Sequence, residues 1–261
     1  MRNFYVTLAA VGLLILVTVN SQLSKFFVKG KTAVRDSGYQ GTPELWQKFL
    51  KCWESETLEQ LTESSVATEL EQLIVDRQRQ SYEPALELEI TEKEQELGIT
   101  LPRSYRDFLL ASNGWLQPRL DDEDGQVLPV KKVGYFSDLY PDEYKAIMGE
   151  NLGRNANDGD FSEEQDPILF NKSDLRKSIA ISDYVNNGVY LINLNQKSPE
   201  NESSVWFFSS KHPGVYRFVS FAHMMQYAYI KTVHKPEDDI PYGHSYIQGT
   251  CAEILGYPHY Q

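Results

Sequence analysis

Few side chains in this sequence stand at spacings that could do chemistry. Gly30-Lys31-Thr32 ends like a phosphate-binding loop, in which backbone N–H groups and a lysine cradle nucleotide phosphates. Position 25 is Lys where the earlier glycine belongs, and no strand is expected ahead of it, so nucleotide binding is not expected. Gly243-His244-Ser245 has the outline of a nucleophile elbow, yet Ile247 stands where the closing glycine is needed. His212, His223, His234, His244 and His259 show no short metal-ligand spacing. The runs Asp121-Asp122-Glu123-Asp124 and Asp158-Gly159-Asp160 lack the alternating ligand order of a calcium loop. These residues give no catalytic set, no metal site, no cofactor and no small-molecule substrate.

What the acidic runs can do is recognise opposite charge. The chain has a net charge of −12, but its first 35 residues hold Arg2, Lys25, Lys29, Lys31 and Arg35 and no acid. The rest carries 20 basic against 37 acidic residues, a net of −17. Such a body repels nucleic acid and anionic lipid, and it favours a basic protein partner. Asp121, Asp122, Glu123, Asp124, Asp158 and Asp160 are the candidate contacts. Tyr135, Tyr140 and Tyr144 could supply aromatic anchors beside them or belong to the core.

The two cysteines, Cys52 and Cys251, form neither a disulfide framework nor a metal cluster. They are read as independent thiols, with a bridge reserved for an exported domain.

Phe4 to Val19 is nearly continuous apolar sequence. Only Arg2 precedes it, whereas Lys25, Lys29, Lys31 and Arg35 follow. Under the positive-inside rule this predicts a membrane anchor through residues 4–22 with the domain facing the cytoplasm. The alternative is a signal peptide cleaved near Val19-Asn20-Ser21, followed by export. The expected organisation is a hydrophobic segment at 1–21, a tether at 22–41, a domain at 42–235 with added N-terminal helices, and a C-terminal extension at 236–261.

Candidate sites need elements to hold them. Thr42-Pro43 starts a helix, since the hydroxyl caps it and proline suits its first position. Trp46, Phe49, Leu50 and Trp53 follow at helical spacing and form one apolar face. A second helix is expected from about Val66, with Leu70, Leu73 and Ile74 on one side. Ile90, Glu94 and Leu97 share a third face, which Gly98 ends. Pro102 reopens a helix carrying Tyr105, Phe108 and Leu109, and Asn113-Gly114 stops it. The period then falls to two. Val127 to Val133, Ser178 to Ile181, Val189 to Leu194 and Val205 to Phe208 read as strands, with a hairpin turn at Asn187-Gly188. A last helix covers about Ser220 to Val233. The class is α+β: N-terminal helices and a helical hairpin packed on a mainly antiparallel sheet, with a closing C-terminal helix.

The hairpin residues Ile90, Glu94, Leu97-Gly98, Leu101-Pro102, Tyr105, Phe108-Leu109 and Asn113-Gly114 resemble the signature of the SUKH superfamily, the Smi/Knr-type proteins. The later strands and Phe221 at the closing helix also fit, over about residues 43 to 235. The resemblance implies an α+β domain used for binding. Bacterial members are commonly immunity proteins that neutralise toxins, and fungal members regulate cell-wall synthesis. With the acidic body it points to an immunity-type protein with a toxin domain as its basic partner, the alternative being a membrane-tethered scaffold or regulator of cell-envelope synthesis. The N-terminal hydrophobic segment and the tail after Lys235 depart from the family core.

Overall fold

The computed structural model describes residues 37–63, 68–120, 123–149, 170–184, 188–198, 200–209, 212–234 and 249–256. Helix α1 runs Pro43–Glu63. Thr42 opens it as expected: its carbonyl accepts from Trp46 N–H at 3.0 Å and its hydroxyl from Leu45 N–H at 3.4 Å. Helix α2, Glu69–Arg77, is fixed by a capping box in which Thr68 and Glu71 satisfy each other's backbone N–H groups. Its apolar side is narrower than the spacing suggests. Ile74 is buried, Leu70 is half-buried and Leu73 is exposed, because a nine-residue helix on the rim has only one line of contact.

Helix α3, Glu87–Leu97, and helix α4, Arg103–Ala111, form the expected hairpin. Gly98 closes α3 at φ 66°, a left-handed conformation that glycine adopts without strain. Pro102 sits one residue before the first turn of α4, as its cap.

A two-stranded hairpin follows, β1 Trp115–Leu120 and β2 Glu123–Val127. The single strand expected from Val127 to Val133 is not formed. The strand stops at Val127, and Val130–Lys132 makes a 3-10 turn. Pro129 supplies no N–H to continue a ladder, and Val130 N–H is taken by the Asn113 side chain at 2.7 Å. Then come β3 Gly134–Tyr135, α5 Phe136–Leu139, α6 Pro141–Gly149, α7 Lys172–Leu175 and β4 Ser178–Ala180. Strands β5 Gly188–Lys197, β6 Ser203–Ser209 and β7 His212–Phe218 precede helix α8, Phe221–Tyr229. Ser220 caps α8, and a π-helical turn, Ile230–His234, prolongs it.

The main sheet is an antiparallel meander, β3-β4-β5-β6-β7 in chain order. Side chains alternate across it. Tyr190, Ile192, Val205, Phe207 and Phe218 face a core shared with α1, α4 and α8. Val189, Leu191, Trp206, Phe208 and Val215 face Phe136, Ile147, Phe170 and Leu175 from α5 to α7. Covering on both faces explains why Val205-Trp206-Phe207-Phe208 is apolar at every position.

The described residues belong to one unit, residues 34–261. Residues 249–256 join its core, with Ala252 and Leu255 buried in the 3-10 turn Cys251–Leu255. That turn lies against α1, and Cys52 and Cys251 are bridged there, with Cα atoms 5.8 Å apart. The expectation of independent thiols is therefore corrected. Spacing along 199 residues carries no information about a contact made by tertiary packing. No helix among the described residues is long and apolar enough to cross a membrane, and the expected anchor at residues 4–22 lies outside them.

Phe108 is fully buried at the junction of α1, α4 and α8. Phe108→Ala is expected to lower unfolding stability by about 3–5 kcal/mol, whereas Leu88→Ala on the exposed side of α3 shifts it by no more than about 0.5 kcal/mol. Urea denaturation of both variants checks the contrast.

Candidate protein-binding surface and the clamp behind it

The signature residues point inward. Ile90, Leu101, Tyr105, Phe108 and Leu109 are fully buried. Glu94 holds the interhelical loop: one carboxylate oxygen accepts from Leu101 N–H at 2.9 Å, and the other lies 3.8 Å from the Arg106 guanidinium. Leu97 is half-buried and its carbonyl accepts from the Tyr135 hydroxyl at 2.9 Å. Asn113 ties the far end, donating its N–H to Glu83 O and accepting from Val130 N–H. At Gly114, φ is 114° and an added Cβ would fall 2.9 Å from the Val127 carbonyl, so only glycine fits. The motif is a brace: its side chains go into the core and the loop, and Tyr105, fully buried, finds no hydrogen-bond partner for its hydroxyl among the described residues.

The end of the β5–β6 hairpin clamps the same loop from the other side. Lys197 Nζ donates to Thr100 O at 3.0 Å, Asn201 Nδ2 donates to Leu101 O at 3.2 Å, and Arg103 N–H donates to Asn201 O at 3.3 Å. Glu202 completes the clamp. Its two oxygens accept from Ser104 N–H and Ser104 Oγ, each at 2.6 Å. A helix N-terminus leaves backbone N–H groups unpaired, and a carboxylate there satisfies them and meets the favourable end of the helix dipole. Burial nevertheless dominates and pushes Glu202 up to about 7, although the two Ser104 bonds pull the other way. Beside it Tyr39 accepts from Trp46 Nε1 at 2.7 Å and donates to Asp107 at 3.0 Å. Burial raises Asp107 as well, against that bond and the charge of Arg103. Sequence reasoning missed Glu202 because its partner lies 98 residues away.

Of the candidate contacts, Asp121, Asp122, Asp158 and Asp160 lie outside the described residues. Glu123 and Asp124 fall on β2, and their side chains are also outside them. The three tyrosines turn inward: Tyr140 OH donates to Ser182 O at 3.2 Å, and Tyr144 packs edge-on against Phe136. The outer face of α3 supplies what spacing did not. Leu86 and Leu88 are 67% and 64% exposed; of the exposed acids nearby in sequence, Glu83 is paired with Arg79 and Glu87 with Arg106, while Glu92 follows one turn on. Leu86 stands four residues before buried Ile90, so period alone would bury it; it lies outward because it is the cap, not a turn of the helix.

Among the described residues, Cys52, Glu56 and Cys251 are a group with donor atoms within 4.8 Å of one another. The bridge occupies both sulfurs, so this is not a ligand set in the oxidised protein.

The pattern of the SMI1/KNR4 family (SUKH-1) matches residues 84–227. The chain belongs to this family. SUKH members are generally non-enzymatic protein-binding domains, and the general role follows: immunity or cell-wall-related protein binding. Compared with curated proteins, the chain matches none significantly. The SUKH match opens just before α3 and closes within α8, so α1, α2 and residues 249–256 lie outside the matched residues and share their core.

A carboxyl whose folded pKa lies above its unfolded value stabilises the fold most when protonated, and that contribution is lost as pH rises from about 4.5 to about 7. Glu202→Gln stays neutral and can serve both Ser104 groups. Relative to this variant, the wild-type chain should lose roughly 1–3 kcal/mol between pH 5 and pH 8. Denaturant titrations at the two pH values measure it.

Proposed function

We propose that this chain is an immunity-type protein that neutralises a toxin domain through an acidic surface. The observation that carries this reading is the fate of the family signature. Its side chains are spent on the core, the loop and the clamp, so recognition falls to exposed residues. Beyond residue 35 those belong to a chain of net charge −17. A partner rich in Lys and Arg is drawn to such a body at long range, and complementary charge raises the association rate most at low salt. Asp121, Asp122, Glu123 and Asp124, with Asp158 and Asp160, are the charged contacts of this reading. Leu86 and Leu88 add apolar area with acids nearby in sequence, the pattern of an apolar centre in a polar rim.

A second reading, a membrane-tethered scaffold or regulator of cell-envelope synthesis, draws on the apolar stretch Phe4 to Val19 and on the fungal side of the family. It requires a set of envelope or signalling partners instead of one toxin.

The acidic-run mechanism is tested by neutralising Asp121, Asp122, Glu123 and Asp124 together with Asn and Gln. Affinity for the partner toxin should fall at least about tenfold at low salt, and its salt dependence should flatten. Calorimetric titration against that toxin reads both. Unchanged affinity and unchanged protection of cells would remove these residues from the mechanism.

A further inference from the structure

The disulfide is chemistry that a protein-binding role does not require, and it bears on where the domain works. Cys52 lies on the tenth position of α1, half-buried, and Cys251 opens the last 3-10 turn with 2% of its surface exposed. Noncovalent contacts hold the same two segments beside the bond. Gln226 Nε2 donates to Ala252 O at 2.8 Å and to Gly256 O at 2.7 Å, anchoring the turn to α8. Cys251 N–H donates to the Tyr229 hydroxyl at 3.3 Å, and that hydroxyl donates to Glu56 on α1 at 2.7 Å. A Cα separation of 5.8 Å is within the ordinary range for a bridge, so no backbone movement is needed to close it. The chain has only these two cysteines, and both are placed here. Glu56 Oε1 lies 3.3 Å from Cys251 Sγ. A carboxylate there repels an incoming thiolate, which slows exchange and reduction of a bond whose Cys251 end is also buried.

Forming the bond removes two protons and two electrons from the thiols. A disulfide-bearing oxidant must accept the electrons and become a dithiol, as happens outside the reducing cytoplasm. The second observation is independent. Arg2, the apolar stretch Phe4 to Val19 and the small polar residues Asn20-Ser21 together have the features of an export signal. The cations after that stretch bias topology the other way, but the positive-inside rule is a bias and not a bar. A bridge between the chain's only cysteines outweighs it.

We propose that Cys52 and Cys251 are oxidised to a lasting staple in an extracytoplasmic compartment, and that the domain meets its partner there, carried across by the apolar stretch. This departs from the cytoplasm-facing arrangement suggested by flanking charge. It holds whether that partner is a toxin or an envelope protein.

The full chain is produced in its native host, and intact cells are acid-quenched and treated with N-ethylmaleimide before lysis. The expected mass shows no adduct until a reductant is added, and two adducts afterwards. A membrane-impermeant amine-reactive biotin should label the domain in cells whose cytoplasmic membrane is intact. The double variant Cys52→Ala/Cys251→Ala should melt roughly 5–15 °C below the oxidised wild type. Two adducts without reductant would overturn the proposal. So would a zinc ion bound to Cys52, Glu56 and Cys251 in the purified native protein, or a bridged chain that the impermeant reagent cannot reach.

Discussion

Three rings hold this fold together at one point. Trp46 of α1, Phe108 of α4 and Phe221 of α8 lie with centroids 4.9 to 5.7 Å apart, all fully buried. Each comes from a different helix, and they share one core with Val205, Phe207 and Phe218 of the sheet. Aromatic rings at these separations add edge-to-face and offset attraction to the large apolar area they bury. Trp46 lies outside the family match, whereas Phe108 and Phe221 lie within it. The matched residues therefore share their aromatic core with a helix outside the match, and Phe49 and Trp53 extend the contact to Tyr229 and Trp115.

From that junction the polar constraints work outward. A helical hairpin with a five-residue link would leave the link's backbone groups without partners, and each carries a desolvation penalty once buried. Glu94 answers from within the hairpin, while Lys197, Asn201 and Glu202 answer from the sheet. The hairpin is thereby fixed to the meander at one end and to the Val130–Lys132 turn, through Asn113, at the other. A rigid brace costs little further ordering when a partner docks, which suits a surface used for capture. The outer side of α3, with Leu86, Leu88 and their acids, is carried on that brace.

Local pattern made much of this legible. Thr42-Pro43, Gly98, Pro102 and Ser220 punctuate helices where the structure places their ends, because capping is decided within one turn of chain. Strands β4, β5 and β6 are apolar runs, and their positions follow. Strands β1 and β7 were not legible: Pro118 interrupts the first and His212-Pro213-Gly214 opens the second, residues that ordinarily mark loops. Glu202 and the Cys52–Cys251 bridge depend on contacts across 98 and 199 residues, which only the assembled core creates. As for the candidate surface, charge composition pointed to acidic runs, while exposed Leu86 was hidden by its i, i+4 spacing from buried Ile90.

Recognition of a basic protein by an acidic domain is the step on which the proposed role turns. The most direct measurement is affinity capture with the tagged full chain from native lysate, at about 0.1 M and about 0.5 M salt, which bracket weak and strong screening. One dominant basic partner at the lower salt, depleted at the higher, is the predicted result. Several partners retained equally at both salts would contradict it and favour an envelope scaffold.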